Sequence, residues 1–128
     1  MTYHFSKTLA LGMDDAIARV TDELKKEGFG ILTEIDVQKT FKAKIDVDFR
    51  PYRILGACNP GFAHKALLAE DKIGAMLPCN VIVQEHSPGS VEVSAIDPME
   101  SMKAVENPAL GGIATEVRAK LERVIAQL

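Results

Sequence analysis

The sequence predicts an α+β fold: a single two-layer domain, with a mostly antiparallel sheet of four to six strands and its helices on one face. Three observations predict it. Strand-like segments come in blocks and do not alternate strictly with helical ones. Residues 13–27 and 112–128 carry apolar stripes at helical spacing. The chain of 128 residues is too short for two independent cores, yet long enough for one to bury roughly two-thirds of its unfolded surface.

The elements follow in order. Residues 3–9 alternate, with Tyr3, Phe5 and Leu9 facing one way and His4, Ser6 and Thr8 the other, which predicts a first strand. Residues 13–27 form a helix, with Met13, Ile17, Val20 and Leu24 as its stripe. Asp14 and Asp15 in its first turn and Lys25 and Lys26 in its last complement the helix dipole, and Gly28 supplies a left-handed stop. Residues 29–37 read as a second strand, with Ile31, Thr33, Ile35 and Val37 on one side and Glu34 and Asp36 on the other. A short helix follows over 38–46, and its Lys39, Lys42 and Lys44 read as a solvated face.

Residues 52–58 form a third strand with a near-continuous apolar run. Asn59-Pro60 then reads as a helix start, Asn as N-cap and Pro at the first helical position. The helix over 61–70 has Phe62, Ala63, Ala66 and Leu67 as its apolar side, and residues 73–77 return to Pro78. Residues 79–86 and 91–97 are strands joined by the turn formers Ser87-Pro88-Gly89-Ser90. Val91, Val93 and Ala95 share one face. After Pro98 comes an irregular or one-turn segment over 99–106. Asn107-Pro108 repeats the start signature, and a last helix carries Ile113, Val117, Leu121, Val124 and Leu128 on one stripe. No internal repeat or linker divides residues 1–128.

Composition narrows the function. Apolar residues make up 47% and charged residues 26%, with nine Gly and six Pro. That excludes a disordered chain and a coiled coil. The net charge of −3 gives no electrostatic case for nucleic acid or an anionic membrane surface. No apolar run reaches the roughly 18 residues of a membrane span. The first residues lack a signal-peptide pattern, so a cytoplasmic location is expected, where thiols stay reduced.

Chemistry concentrates on Cys58 and Cys79. Each ends or begins a strand beside a Pro and an Asn. Cys58 lies just before a helix start, where the dipole and free N–H groups stabilise a thiolate or hold a small anion. Cys58, Asn59 and Cys79 are therefore the candidate ligand-binding residues, and Cys58 and Cys79 the candidate metal ligands. His64 and His86 suit zinc or copper chemically, but no local chelate spacing joins them. Each cysteine also reads as an ordinary small buried residue, and the two histidines as solvated surface. Glu34, Asp36 and Asp97 are acids at strand positions with nothing in their spacing to select an acid–base pair; solvated carboxylates are the expectation. Gly56 and Gly61 have P-loop spacing, but Phe62 and Ala63 stand where Lys and Ser/Thr are required. No Cys-x-x-Cys, Gly-x-Ser-x-Gly or dinucleotide fingerprint occurs, so the balance is against an enzyme and no cofactor is identified.

The stretch Leu55-Gly56-x-Cys58-x-Pro60, then a helix, then Leu77-Pro78-Cys79-x-Val81, resembles an uncharacterised bacterial and archaeal family, domain-of-unknown-function family 302. The likeness runs over most of the chain, including the opening strand and helix and the Ile96-Asp97-Pro98 turn. It implies a compact domain likened to TATA-binding-protein-like folds, a tendency to dimerise, and no established activity. Such a fold does not imply DNA binding, and the charge is wrong for it.

Two functions remain. One is a small homodimeric binding protein holding a metal or small anionic ligand near Cys58 and Cys79. The other is a thiol redox protein using the same two cysteines, with Cys58 the more reactive. The homodimer is also expected from the mixed face on which Ile82 and Ile96 sit with Asn80, Gln84, Glu92 and Ser94.

Overall fold

A computed structural model of the chain describes residues 2–128. The order is β1 (His4–Leu9), α1 (Met13–Lys26), β2 (Gly30–Asp36), α2 (Val37–Ile45), β3 (Tyr52–Cys58), α3 (Pro60–Ala69), a 3-10 turn (Ile73–Met76), β4 (Cys79–Ser87), β5 (Ser90–Ile96), α4 (Pro98–Ser101) and α5 (Ala109–Ala126). The five strands form one sheet in the order β1-β5-β4-β3-β2, antiparallel throughout. The predicted α+β architecture is the one observed.

The core lies between one sheet face and α1 and α5. Val81, Val83, Val91 and Val93 are fully buried beneath Val20 and Leu24 of α1 and Leu121 and Val124 of α5. Each such side chain contributes about 1.5–3 kcal/mol by leaving water. Met13 and Ile17, expected on the α1 stripe, pack at its border, and Ala16 takes the inner position. Gly28 ends this segment at φ +87°, a conformation that costs any side-chain-bearing residue.

β2 departs from the expected facing. Its register against β3 shifts between Ile31 and Thr33, so Leu32 is an extra residue. Ile31 lies opposite Ala57, on the helix side, whereas Ile35 lies opposite Ile54, on the other. A strict period of two puts both on one side; one bulge residue inverts everything after it. Glu34 therefore lands on the helix side at the sheet edge, where it meets Arg53 at 2.7 Å.

The face away from α1 and α5 carries Tyr52, Ile54 and Gly56 of β3 against Gln84, Ile82 and Asn80 of β4. Ser94 and Glu92 of β5 continue two of these rows. α2 sits at the Tyr52 end, with the Phe41 and Phe49 rings 5.2 Å apart and Phe49 6.2 Å from Tyr52. None of its residues is buried, consistent with a solvated lysine face. Asp36 caps it by accepting from the Lys39 N–H at 2.9 Å.

Asp97 is not a solvated acid. It is 5% exposed, accepts from the Met99 N–H at 3.0 Å, and meets Arg118 Nε at 3.2 Å. The chain turns from β5 into α4 at this point, so the carboxylate is enclosed as the helix cap.

Candidate functional site: an apolar cleft beside two cysteines

β3 and β4 place the two cysteines on adjoining strands at one end of the sheet. Ala57 lies directly opposite Cys79, so Cys58 is one position along the adjoining strand. Both thiols are free; Cys58 is half-buried and Cys79 only 8% exposed. Burial, and secondarily the neighbouring Cys58, push the Cys79 thiol up to about 11. Cys79 is thus held as a neutral thiol, and Cys58 is the accessible one of the pair.

The strand pairing here requires a glycine. A Cβ on Gly56 would overlap Thr33 Oγ1 and come within 2.7 Å of Pro78 Cγ. With hydrogen alone at Gly56, Thr33 and Pro78 close over the strand just before the cysteines.

Asn59 was expected to cap α3 and makes no such bond. Its amide Nδ2 instead donates to the Glu27 carbonyl, 3.2 Å away at the end of α1. The reason is proximity: Gly28 brings the α1 terminus so close that a Cβ there would stand 3.1 Å from Asn59 Nδ2. Asn107, in the second Asn-Pro pair, does both jobs. Its Oδ1 accepts from the Ala109 N–H at 3.0 Å, and its amide donates to the Ala69 carbonyl at 2.8 Å. Each asparagine therefore ties the start of one helix to the end of another. The Glu27 carboxylate extends this tie to α5 through Arg123 at 2.9 Å, a hydrogen bond that holds its carboxyl below the ordinary range.

These ties frame a cleft of about 300 Å³ between the sheet end, α3 and α5. Its walls are Phe29, Phe62, Leu67, Leu77, Met102 and Ile113, with Cys58, Asn59 and Cys79 at one end. Among the described residues no charged side chain lines it. Leu32 and Leu67 at its border are 68% and 43% exposed. Leu67 thus belongs to the cleft rather than to the buried side of α3.

The structure brings Cys58, Asn59 and Cys79 to one cleft and leaves the other candidates elsewhere. Among the described residues, no group of three or more His, Cys, Asp or Glu is placed to hold a metal. His64 is on the exposed side of α3. His86 is at the far end of β4 from Cys79 and contacts Glu92 at 3.2 Å. The apolar walls carry no local sequence signature, because they come from β3, α3, the 3-10 turn and the segments around α4 and α5.

Comparison with known proteins gives a consistent result. The family model described as "Domain of unknown function DUF302" matches residues 5–128. The crystal structure of an uncharacterised conserved DUF302 protein from Bacillus stearothermophilus is similar at a TM-score of 0.90 and 29% identity, covering 99% of this chain and 98% of that one. No curated protein matches the chain.

Proposed function

The chain belongs to the DUF302 family, whose description assigns no activity, and we propose from its own cleft that it binds an apolar small molecule beside Cys58 and Cys79. The observation that carries this reading is the cleft's lining. A concavity of about 300 Å³ walled by Phe29, Phe62, Leu77 and Met102, with no charged side chain, is of ligand-pocket size and character. Contiguous exposed apolar surface of this kind marks a binding site. With no cation in the lining, an apolar ligand suits the site better than the small anion expected from the helix start. With no third ligand grouped with the cysteines, it also suits better than a metal.

A neutral fluorescent probe, N-phenyl-1-naphthylamine, tests this. Its emission is expected to rise on binding with saturable, one-site behaviour. Ala63→Trp, which fills the cleft from the α3 wall, is expected to abolish the rise while the circular-dichroism spectrum is kept. A linear, unsaturable rise, or one untouched by Ala63→Trp, contradicts the reading.

One observation supports a thiol redox role as the second reading: both cysteines are free and line the same cleft. Cys58, the more accessible thiol, would attack hydrogen peroxide to give a sulfenic acid and water, and Cys79 would then displace a second water from that sulfur to form the disulfide. Peroxide treatment giving a reversible Cys58–Cys79 bond is the outcome that favours it. Overoxidation of Cys58 alone argues against it.

A further inference from the structure

On the opposite face of the sheet, we propose a second ligand site, for a small planar carboxylate anchored by the Arg50 guanidinium. Arg53, Arg118 and Arg123 each meet a carboxylate within 3.3 Å. Among the described residues Arg19 and Arg50 meet none, and of these two it is Arg50 that is held in place. Its Nε donates to Gln84 Oε1 at 2.9 Å, and its guanidinium carbon lies 4.4 Å from the Phe49 ring centre and 5.7 Å from that of Tyr52. A guanidinium fixed by one nitrogen and stacked on rings keeps its two terminal nitrogens for a partner.

The space beside it fits such a partner. A concavity of about 300 Å³ runs from Arg50 and Tyr52 across Ile82 towards Tyr3 and Ile96. Its floor is closed. Gln84 is 8% and Ser94 7% exposed, and both are satisfied within the protein. Ser94 Oγ lies 2.7 Å from Ser6 Oγ, and Gln84 Nε2 donates to Glu92 Oε1 at 3.4 Å. Among the described residues Glu92 is the one acid lining this space, and its Oε1 also faces His86 at 3.2 Å. It repels an anion from the Glu92 side and leaves the Arg50 side as the place for a carboxylate. The ligand's flat body then lies on Ile82 and Ile96 between the two tyrosines. A second copy of the chain is the other candidate occupant of this face, and the experiment below separates the two.

The experiment is an amide NMR titration with sodium benzoate, using benzyl alcohol as the uncharged counterpart. Benzoate is expected to shift the amides of Tyr52, Ile82 and Ser94 saturably, and benzyl alcohol not to. Arg50→Gln should weaken the benzoate response at least about tenfold and Arg50→Lys less, with amide shifts in the free protein confined to the neighbourhood of Gln84, Phe49 and Tyr52, the groups that Arg50 touches. Equal affinity in Arg50→Gln, or shifts confined to the cleft amides of Cys58 and Ala63, overturns the site without touching the cleft reading. No benzoate response, with sedimentation at twice 13.9 kDa that Ile82→Arg returns to single mass, assigns the face to a second copy and also overturns it.

Discussion

The Asn59 amide donates to the Glu27 carbonyl across 32 residues of chain, at 3.2 Å, and so fixes the start of α3 on the end of α1. This bond sets one end of the cleft, since Asn59 follows Cys58 and Phe29 follows the α1 terminus. Asn59→Ala is expected to cost about 1 kcal/mol, the ordinary loss for one part-buried hydrogen bond. Gly28→Ala should cost more, about 1–2 kcal/mol, because φ is +87° and the new methyl crowds Asn59. Urea unfolding measures both. The double variant should lose less than the sum, since the two residues touch. An unchanged Asn59→Ala midpoint contradicts the tie.

Gly56→Ala should be among the most damaging single-methyl additions in the protein. The methyl meets Thr33 on one side and the Pro78 ring on the other. Overpacking of this kind costs about 1–3 kcal/mol. Thr33→Ala in the same chain should recover only part of the loss, because Pro78 cannot turn away. Thermal unfolding of the two variants checks the order.

Alkaline stability should depend on Cys79. Its thiol titrates near 9 when unfolded and near 11 when folded, because burial disfavours the thiolate. Between those values the unfolded state has lost a proton that the folded state keeps, so stability falls as pH rises. The full loss is about 2–3 kcal/mol. Cys79→Ala should flatten this part of the curve relative to wild type. Denaturant unfolding from pH 8 to 11 measures it, and parallel curves for the two proteins contradict the shift.

Asp97→Ala should cost about 2 kcal/mol, by removing the α4 cap and the partner of Arg118. Asp97→Asn keeps an acceptor for the Met99 N–H and should cost less. Equal losses would show that the ion pair alone matters.

Much of the fold is written in local pattern. The α1 and α5 helices, the β4–β5 hairpin and the alternation of Val91, Val93 and Ala95 follow from periodicity, although Met13, Ile17 and Ile113 of the two helix stripes lie at the border of the core rather than inside it. What fails to show is what depends on distant neighbours. The single bulge residue Leu32 turns Ile35 to the other face of the sheet. Asn59 has the composition of a cap, but the nearness of Glu27 claims its amide. Asp97 reads as a strand acid, and only the turn into α4 encloses it. The two cysteines were legible as a pair, because their flanking residues are alike. Their cleft was not, because its walls come from separated segments and none carries a motif.

The most direct test of the cleft reading is an amide NMR map of the bound neutral probe. N-phenyl-1-naphthylamine should shift the backbone amides of Cys58, Ala63, Leu77 and Ala114 together, with one dissociation constant for all four. Absence of saturable shifts at these residues, or a map centred on another surface, would contradict it.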